Sequence, residues 1–251
     1  MASTQLLILI AVFLATSIIS VITGSTSLIT VPVMLQMGIA PRTALATNML
    51  ALTLMSFGAA LPFLKQRTVN LSRLPLLLGL TAIGSILGAG LVLVISSKAV
   101  PQIVSVAAIA VAIFSISNHQ AGVLPPAASP SRTAQILGYA ATFGLGIYGG
   151  FFSGGYVTLL TAAYVTLFKM TFVEAIATTK VVNIVSSLIA TGIFSLSGIV
   201  DYQLGAILGI TMFIGGTIGS QIALKLNNLW LRRIFLATVV ILAIKTLMEG
   251  V

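Results

Sequence analysis

Long apolar runs, separated by short polar breaks, follow one another along the whole chain. Most of them are near the roughly 20 residues that an α-helix needs to cross ~30 Å of hydrocarbon. In chain order the runs cover 6–23 with 28–37, 44–64, 74–95, 103–116, 136–152 continuing to 167, 173–196, 204–224 and 234–247. The pattern predicts a polytopic membrane protein of the all-α class.

Two of the runs are interrupted by small polar residues instead of ending at a charged loop. The interruptions are Gly-Ser-Thr-Ser at 24–27 and Ser-Gly-Gly at 153–155. At about 1.5 Å per residue, an interrupted run of about 33 residues is too long for one crossing and too short for two full ones. We therefore predict that each folds as a helical hairpin entering and leaving on one side, with two shorter arms meeting at the break.

The two halves of the chain align without a gap at a constant shift of 131 residues. The shift superposes both breaks and pairs Thr47 with Thr178, Ser56 with Ser187, Gly84 with Gly215 and Gly88 with Gly219. Self-similarity of this kind indicates an internal duplication. We predict repeat 1 at 1–117, a linker at 118–132 and repeat 2 at 133–251, each repeat comprising a broken-helix hairpin and three transmembrane helices. The paired Gly-x-x-x-Gly segments are predicted to be packing positions.

Basic residues are distributed unequally between matching loops of the two halves. Lys65, Arg67 and Arg73 lie between the second and third units of the first half, which indicates a cytoplasmic loop. The matching loop of the second half has no base and carries Asp201. This opposite bias predicts inverted repeats, a cytoplasmic linker at 118–132 and both termini outside, in the plasma membrane (the prokaryotic inner membrane).

The composition narrows the function further. The chain is 58% hydrophobic and 6% charged, which excludes an ordinary soluble domain. The chain has no Cys, and we predict that its single His, His119, is a solvated residue of the linker. The acids Glu174, Asp201 and Glu249 all fall near predicted helix ends, so no catalytic pair or metal set can be assembled from them. We expect no enzyme, no cofactor and no metal site.

Two features could form a binding site in the membrane. Irregular backbone at membrane depth frees N–H groups, and paired breaks in two halves are typical of transport sites. The stretch Ala-Thr-Thr-Lys-Val-Val-Asn at 177–183 is the second feature, with a related stretch at 46–48. The predicted substrate-binding residues are Gly24, Ser25, Thr26, Thr47, Asn48, Gly154, Gly155, Thr178, Thr179, Lys180 and Asn183.

Lys180 is the most informative of these residues. It lies about two turns into its predicted helix, where an ionisable side chain is costly. It could face a cavity with Asn183, which follows at i+3 on the same face. It could instead snorkel to the cytoplasmic surface or pair with Glu174, although an offset of six residues places Glu174 poorly.

These motifs resemble those of the TauE/SafE sulfite exporter family, also called the toluene sulfonate uptake permease family. The segment at 146–155 is similar to that family's Gly-x-Tyr-Asp-Gly-Phe-Phe-Gly-Pro-Gly, and 177–183 is similar to its Ala-Thr-x-Lys-x-x-Asn. Gly149 stands where the family pattern has Asp, and Ser25 and Thr26 replace glycines of the first break. The resemblance implies a transporter of sulfite, sulfonates or related anions, and the missing Asp argues against ion coupling at that position.

The sequence therefore favours a non-enzymatic transporter of small anions, such as sulfite, organosulfonates or related sulfur-containing or carboxylate anions. It would work by alternating access around a site near the bilayer midplane, with the anion and the lipid bilayer as its partners and no role for nucleic acid. The alternatives are a channel-like passive anion pore and a membrane scaffold that transports nothing.

Overall fold

A computed structural model describes residues 3–69, 71–96, 129–231 and 233–234 of the chain. The predicted run at 103–116 lies outside these residues, as do most of the run at 234–247 and most of the linker. Within them the helices are α1 (Ser3–Thr23), α2 (Ser27–Gln36), α3 (Pro41–Lys65), α4 (Leu74–Val94), α5 (Arg132–Phe151), α6 (Tyr156–Leu167), α7 (Phe172–Leu196) and α8 (Tyr202–Lys225). Each lies within a few residues of a predicted run.

Five of the described helices, α1, α3, α4, α7 and α8, are long and apolar enough to cross a membrane. Large apolar side chains on their outer faces are exposed, among them Ile83 on α4 and Ile214 on α8. Many hydroxyl side chains are instead buried between the helices. The predicted all-α polytopic fold is confirmed.

Both breaks depend on a glycine in the left-handed region of backbone space. Gly24 and Gly155 each have φ +77°, a conformation that other L residues rarely adopt. These two positions are 131 residues apart, the shift that aligns the halves. The other left-handed residues of the described chain form two more pairs at this shift, Gly38 with Lys169 and Arg67 with Gly198. The backbone conformation therefore repeats along with the sequence.

The arms of the hairpins are unequal. The first arms, α1 and α5, have 21 and 20 residues, whereas α2 and α6 have 10 and 12. At about 1.5 Å per residue, α1 is roughly 31 Å long and α2 roughly 15 Å. The expectation of two shorter arms is therefore wrong for the first arms, because α1 and α5 start several residues before the apolar runs.

The paired Gly-x-x-x-Gly segments are packing positions, as predicted. A Cβ on Gly84 or Gly88 of α4 would collide with the backbone of α5 around Ile147. A Cβ on Gly215 or Gly219 of α8 would collide with α1. The fourth described helix of each half thus packs closely on the first helix of the other half.

Gly88 and Gly90 provide a matched pair for testing this packing. We expect Gly88→Ala to destabilise the protein by about 1–3 kcal/mol, because its methyl group would press against the Ile147 carbonyl group. Gly90 has nothing within 4 Å of the position that a Cβ would take. Gly90→Ala should therefore be neutral or slightly stabilising. Thermal unfolding of both variants in one detergent compares them, and equal stabilities would contradict the close approach.

The order of contacts gives the relative directions of the helices. On α3, Ser56 accepts a hydrogen bond from Asn183 of α7, and the earlier residue Thr53 lies 3.3 Å from the later residue Thr191. The repeat-related helices α3 and α7 therefore run antiparallel. Helices α3 and α8 run parallel, because Gly205 packs near Leu50 whereas Gly216 packs near Met55 and Ala59. By the same ordering, α4 is parallel to α5 and α1 is parallel to α8.

These directions gather most of the described basic residues at one end of the bundle. The basic end contains the end of α3, the starts of α4 and α5, and the end of α8. Arg73 joins it to the end of α6, because its guanidinium donates to the Phe168 carbonyl oxygen at 3.3 Å. The basic residues at this end are Lys65, Arg67, Arg73, Arg132, Lys169 and Lys225. The opposite end carries Arg42, which donates to the Leu93 and Ile95 carbonyl oxygens, and Asp201.

Candidate functional site

The two helix breaks touch each other inside the bundle. The hydroxyl oxygens of Ser27 and Ser153 lie 2.6 Å apart, and those of Ser25 and Thr158 lie 3.1 Å apart. Thr158 also donates to the Thr23 carbonyl oxygen at 2.6 Å. A Cβ on Gly24 would lie 2.5 Å from the Thr158 nitrogen, so only glycine permits this approach.

Two helix N-termini meet at this contact. Helix α2 starts at Ser27, the last residue of the first break, and helix α6 starts at Tyr156, directly after the second break. The first turn of a helix carries partial positive charge. Some of its N–H groups are already bonded within the breaks, since Leu28 donates to the Ser25 carbonyl oxygen and Tyr156 to that of Ser153. The junction of the two breaks is therefore electrostatically suited to an anion.

Lys180 lies at the same depth and is buried, with 2% of its surface exposed. Its Nζ donates to the Ser20 carbonyl oxygen at 3.0 Å, in the last turn of α1. The side chain therefore does not snorkel to the surface. The negative end of the α1 dipole balances part of its charge.

No carboxylate pairs with Lys180 among the residues that the structure describes. Glu174 accepts from the backbone N–H of Thr171 at 2.9 Å, within a capping box at the start of α7. Asp201 accepts from the Leu204 N–H at 3.0 Å and caps α8. Both acids are thus helix caps, and the ammonium group of Lys180 lacks a counter-ion in this part of the chain.

Asn183 offers an acceptor beside Lys180. Its Nδ2 donates to the Ser56 hydroxyl at 2.7 Å, whereas its Oδ1 is buried and has no hydrogen-bond partner. Buried polar atoms are nearly always paired, so an unpaired one indicates a group that is available to a ligand or a water molecule.

Asn48 differs from Asn183 because both ends of its amide are occupied. Its Nδ2 donates to Ser27 at 2.8 Å, and its Oδ1 accepts from Thr30 at 2.7 Å. These bonds tie the short helix α2 to α3. At the repeat-related positions of the second half, the hydroxyl oxygens of Thr161 and Thr179 lie 3.4 Å apart and connect α6 to α7. Asn48 and Thr179 therefore position the arms after each break.

A small cavity lies where the breaks, α3 and α7 converge. Its volume is about 10 Å³, which is at the lower limit for one water molecule. It is lined by Gly24, Thr26, Leu52, Met55, Ser153, Val157, Lys180 and Asn183. Both repeats thus contribute to one enclosed space.

All eleven predicted site residues are buried, but they do not all face this space. Gly24, Thr26, Lys180 and Asn183 line it. Ser25, Asn48 and Thr179 do not line the cavity but form hydrogen bonds around it. The Gly154 carbonyl oxygen accepts a hydrogen bond from the Tyr148 hydroxyl at 2.5 Å. Gly155 forms the second left-handed turn, and the Thr178 hydroxyl is buried without a partner. Thr47 lies apart, since its hydroxyl accepts from the Asp201 N–H at 3.0 Å.

Several residues around the cavity were missed by reasoning from the sequence. Ser153 belongs to the second break, and its position there was a usable signal. Nothing in the sequence identified the Ser20 carbonyl oxygen as a partner of Lys180, because every residue has a carbonyl group. Leu52 and Met55 are apolar wall residues that no motif identifies.

The comparisons with known proteins agree with this architecture. The sequence model of the family described as Sulfite exporter TauE/SafE matches residues 8–246. The chain belongs to the TauE/SafE family. No solved structure matches it.

Curated relatives of this TauE/SafE protein carry the name of probable membrane transporters. The probable membrane transporter protein ORF9 of a Sinorhizobium species is 29% identical over 250 residues, covering 96% of this chain and 91% of the relative. The probable membrane transporter protein YfcA of Escherichia coli K12 is 27% identical over 247 residues, with coverage of 97% and 90%. A relative from Haemophilus influenzae is 27% identical over 228 residues, with coverage of 90% and 88%. The chain is a membrane transporter of this family.

Gly149 is the position at which the resemblance of the sequence implies Asp. Gly149 is buried against the ring of Tyr156, and a Cβ added there would lie 2.8 Å from ring atoms. A carboxylate side chain would have to displace this ring. In this TauE/SafE protein an aromatic ring is thus packed against Gly149, where the resemblance implies an acid.

Proposed function

We propose that this protein transports small anions, such as sulfite, organosulfonates or related sulfur-containing or carboxylate anions. Lys180 carries the proposal, because it is a buried cation that lines a cavity between two helix breaks and has no carboxylate partner in the described chain. A bound anion would supply the missing counter-charge through charge-assisted hydrogen bonds. The N-termini of α2 and α6 and the family description, which refers to sulfite, also support this substrate class.

We further propose alternating access as the mechanism. A cavity of about 10 Å³ cannot hold even a small oxyanion, so the contacts between the breaks must separate before a ligand enters. A closed centre of this kind favours a carrier over an open pore. The antiparallel directions of α3 and α7 support an inverted relation of the repeats, which lets the same site face either side in turn.

The distribution of charge supports an orientation in the membrane. Cytoplasmic loops are enriched in Lys and Arg, so the basic end of the bundle would face the cytoplasm. Helix α1 runs parallel to α3, whose first residues lie at the opposite end. The N-terminus would then be outside, and in an inverted arrangement the C-terminus would be outside as well.

Cysteine labelling tests this orientation, because the chain has no native Cys. We expect Arg67→Cys to react only from the cytoplasmic side and Asp201→Cys only from the external side. The measurement is labelling of intact cells with a membrane-impermeant maleimide, before and after permeabilisation. External labelling of the Arg67→Cys variant would refute the proposed topology.

Uptake into proteoliposomes tests the substrate class. We expect saturable uptake of radiolabelled sulfite, reduced by an excess of an unlabelled alkanesulfonate and unaffected by an equal concentration of choline. Uptake that rises linearly with sulfite concentration would indicate a pore. No uptake of sulfite, sulfonates or carboxylates would contradict the proposal.

A further inference from the structure

A groove lies between α3 and α8 at the basic end of the bundle, away from the central cavity. Its volume is about 390 Å³. Lys65, Gln66 and Lys225 lie at its outer end, and Leu61, Phe213 and Leu224 supply apolar surface. From Phe213 to Lys225 it extends about 18 Å along α8. This is a groove with a cationic mouth and an apolar wall.

The groove opens to the surface that faces the bilayer. Leu61 is 46% exposed, and the neighbouring α8 residues Ile214, Ile218 and Ile222 are also exposed. The two lysines have no acidic neighbour among the residues that line the groove. The apolar part of the groove is therefore at the depth of the acyl chains, and its charged end is at the depth of the headgroups.

The repeat-related position in the other half lacks these charges. Helices α4 and α7 take the places of α8 and α3, and the shift of 131 residues puts Leu196 where Lys65 stands and Val94 where Lys225 stands. Leu196 is 92% exposed and Val94 is 78% exposed. The cationic mouth is thus a feature of one face of the protein and is not imposed by the packing of the repeats.

We propose that this groove binds an anionic phospholipid of the leaflet at the basic end. The phosphate group would lie between Lys65 and Lys225, with Gln66 as a further donor, and an acyl chain would lie along Leu61 and Phe213. Basic pockets between transmembrane helices are suited to anionic headgroups, because the ammonium groups are fixed at the depth of the phosphate. The lipid would bridge α3 of the first repeat and α8 of the second.

A quenching experiment tests this proposal. The single Trp of the chain is removed by Trp230→Phe, and Phe213→Trp places a reporter in the groove. The purified reporter protein is titrated in neutral detergent with brominated phosphatidylglycerol or brominated phosphatidylcholine. We expect phosphatidylglycerol to quench at lower mole fractions. Lys65→Gln or Lys225→Gln should weaken its apparent binding by about fivefold, and both together by about 25-fold.

Controls separate this site from general attraction to the basic face. Lys169→Gln removes an exposed lysine from the same end but outside the groove, and it should leave the preference for phosphatidylglycerol unchanged. Equal quenching by both lipids, or a preference that survives loss of Lys65 and Lys225, would overturn the proposal. Complete competition by glycerol 3-phosphate would also overturn it, since a soluble phosphate would then be the ligand.

Discussion

Lys180→Met is expected to weaken strongly the stabilisation of the purified protein by sulfite or an alkanesulfonate. The substitution keeps the length of the side chain and removes its charge. Hydrogen bonds to charged groups contribute about 1.5–3 kcal/mol, so the affinity should fall by roughly 10- to 150-fold. The measurement is the shift in thermal unfolding over a series of ligand concentrations, because a ligand that binds only the folded state raises its stability.

The stability of Lys180→Met without ligand should change in the other direction. In the wild type the ammonium group is buried and has one hydrogen bond, to the Ser20 carbonyl oxygen. Desolvating a buried charge is costly, so replacing one that has no counter-ion with an apolar group of similar volume should be neutral or stabilising. We therefore expect an unchanged or raised unfolding temperature together with a much weaker ligand response, a combination that general misfolding would not produce.

Two further variants complete this test. Lys180→Arg should retain part of the binding, because the charge survives while its geometry changes. Lys169→Met makes the same replacement at an exposed lysine and should bind as the wild type does. If Lys180→Met binds the anion with unchanged affinity, the buried lysine is a structural residue and the site must be formed by the helix N-termini alone.

The helices could be predicted from the sequence because each apolar run ends at charged, polar or glycine residues. The predicted run 44–64 corresponds to helix α3 at Pro41–Lys65, and the predicted run 173–196 corresponds to helix α7 at Phe172–Leu196. The unequal hairpin arms could not be predicted in the same way. Helix α1 starts at Ser3, before the first apolar run begins at position 6, since a helix continues through polar residues that an apolar count leaves out.

The central site was predictable only in part, for a geometric reason. Lys180 and Asn183 are three residues apart, so they share a helix face and both line the cavity. Thr47 directly precedes Asn48, and neighbouring residues on a helix point about 100° apart. Thr47 accordingly contacts the loop before α8, while Asn48 holds α2. A motif identifies the segment of chain, but the packing decides which of its side chains face the ligand.

The contact between the breaks has a consequence for transport. Ser27 and Ser153 come from different repeats, and their hydroxyl oxygens are 2.6 Å apart at the edge of the closed cavity. If the site opens alternately to each side, the two breaks must separate during every transport cycle. A covalent link at this contact would hold the protein in its closed form.

The double variant Ser27→Cys/Ser153→Cys should therefore form a disulfide that stops transport. The hydroxyl oxygens are close enough for sulfur atoms in their place to approach the disulfide bond length of about 2.05 Å. After oxidation we expect uptake of a radiolabelled alkanesulfonate, which unlike sulfite does not cleave disulfides, to fall to the level of empty liposomes, and a reducing agent should restore it. The absence of native Cys leaves no competing pairing within the chain.

Matched controls distinguish the effect of the cross-link from other effects of the two substitutions. Each single Cys variant should transport the alkanesulfonate to the same extent with and without oxidant, which separates the cross-link from oxidation of a lone thiol. The reduced double variant should also transport, which shows that the two substitutions are themselves tolerated. If the oxidised double variant, with its disulfide verified by mass spectrometry, transports at the rate of the reduced one, the breaks do not separate during transport. The substrate would then pass without opening this contact, and the proposed alternating movement at the hairpin tips would be wrong.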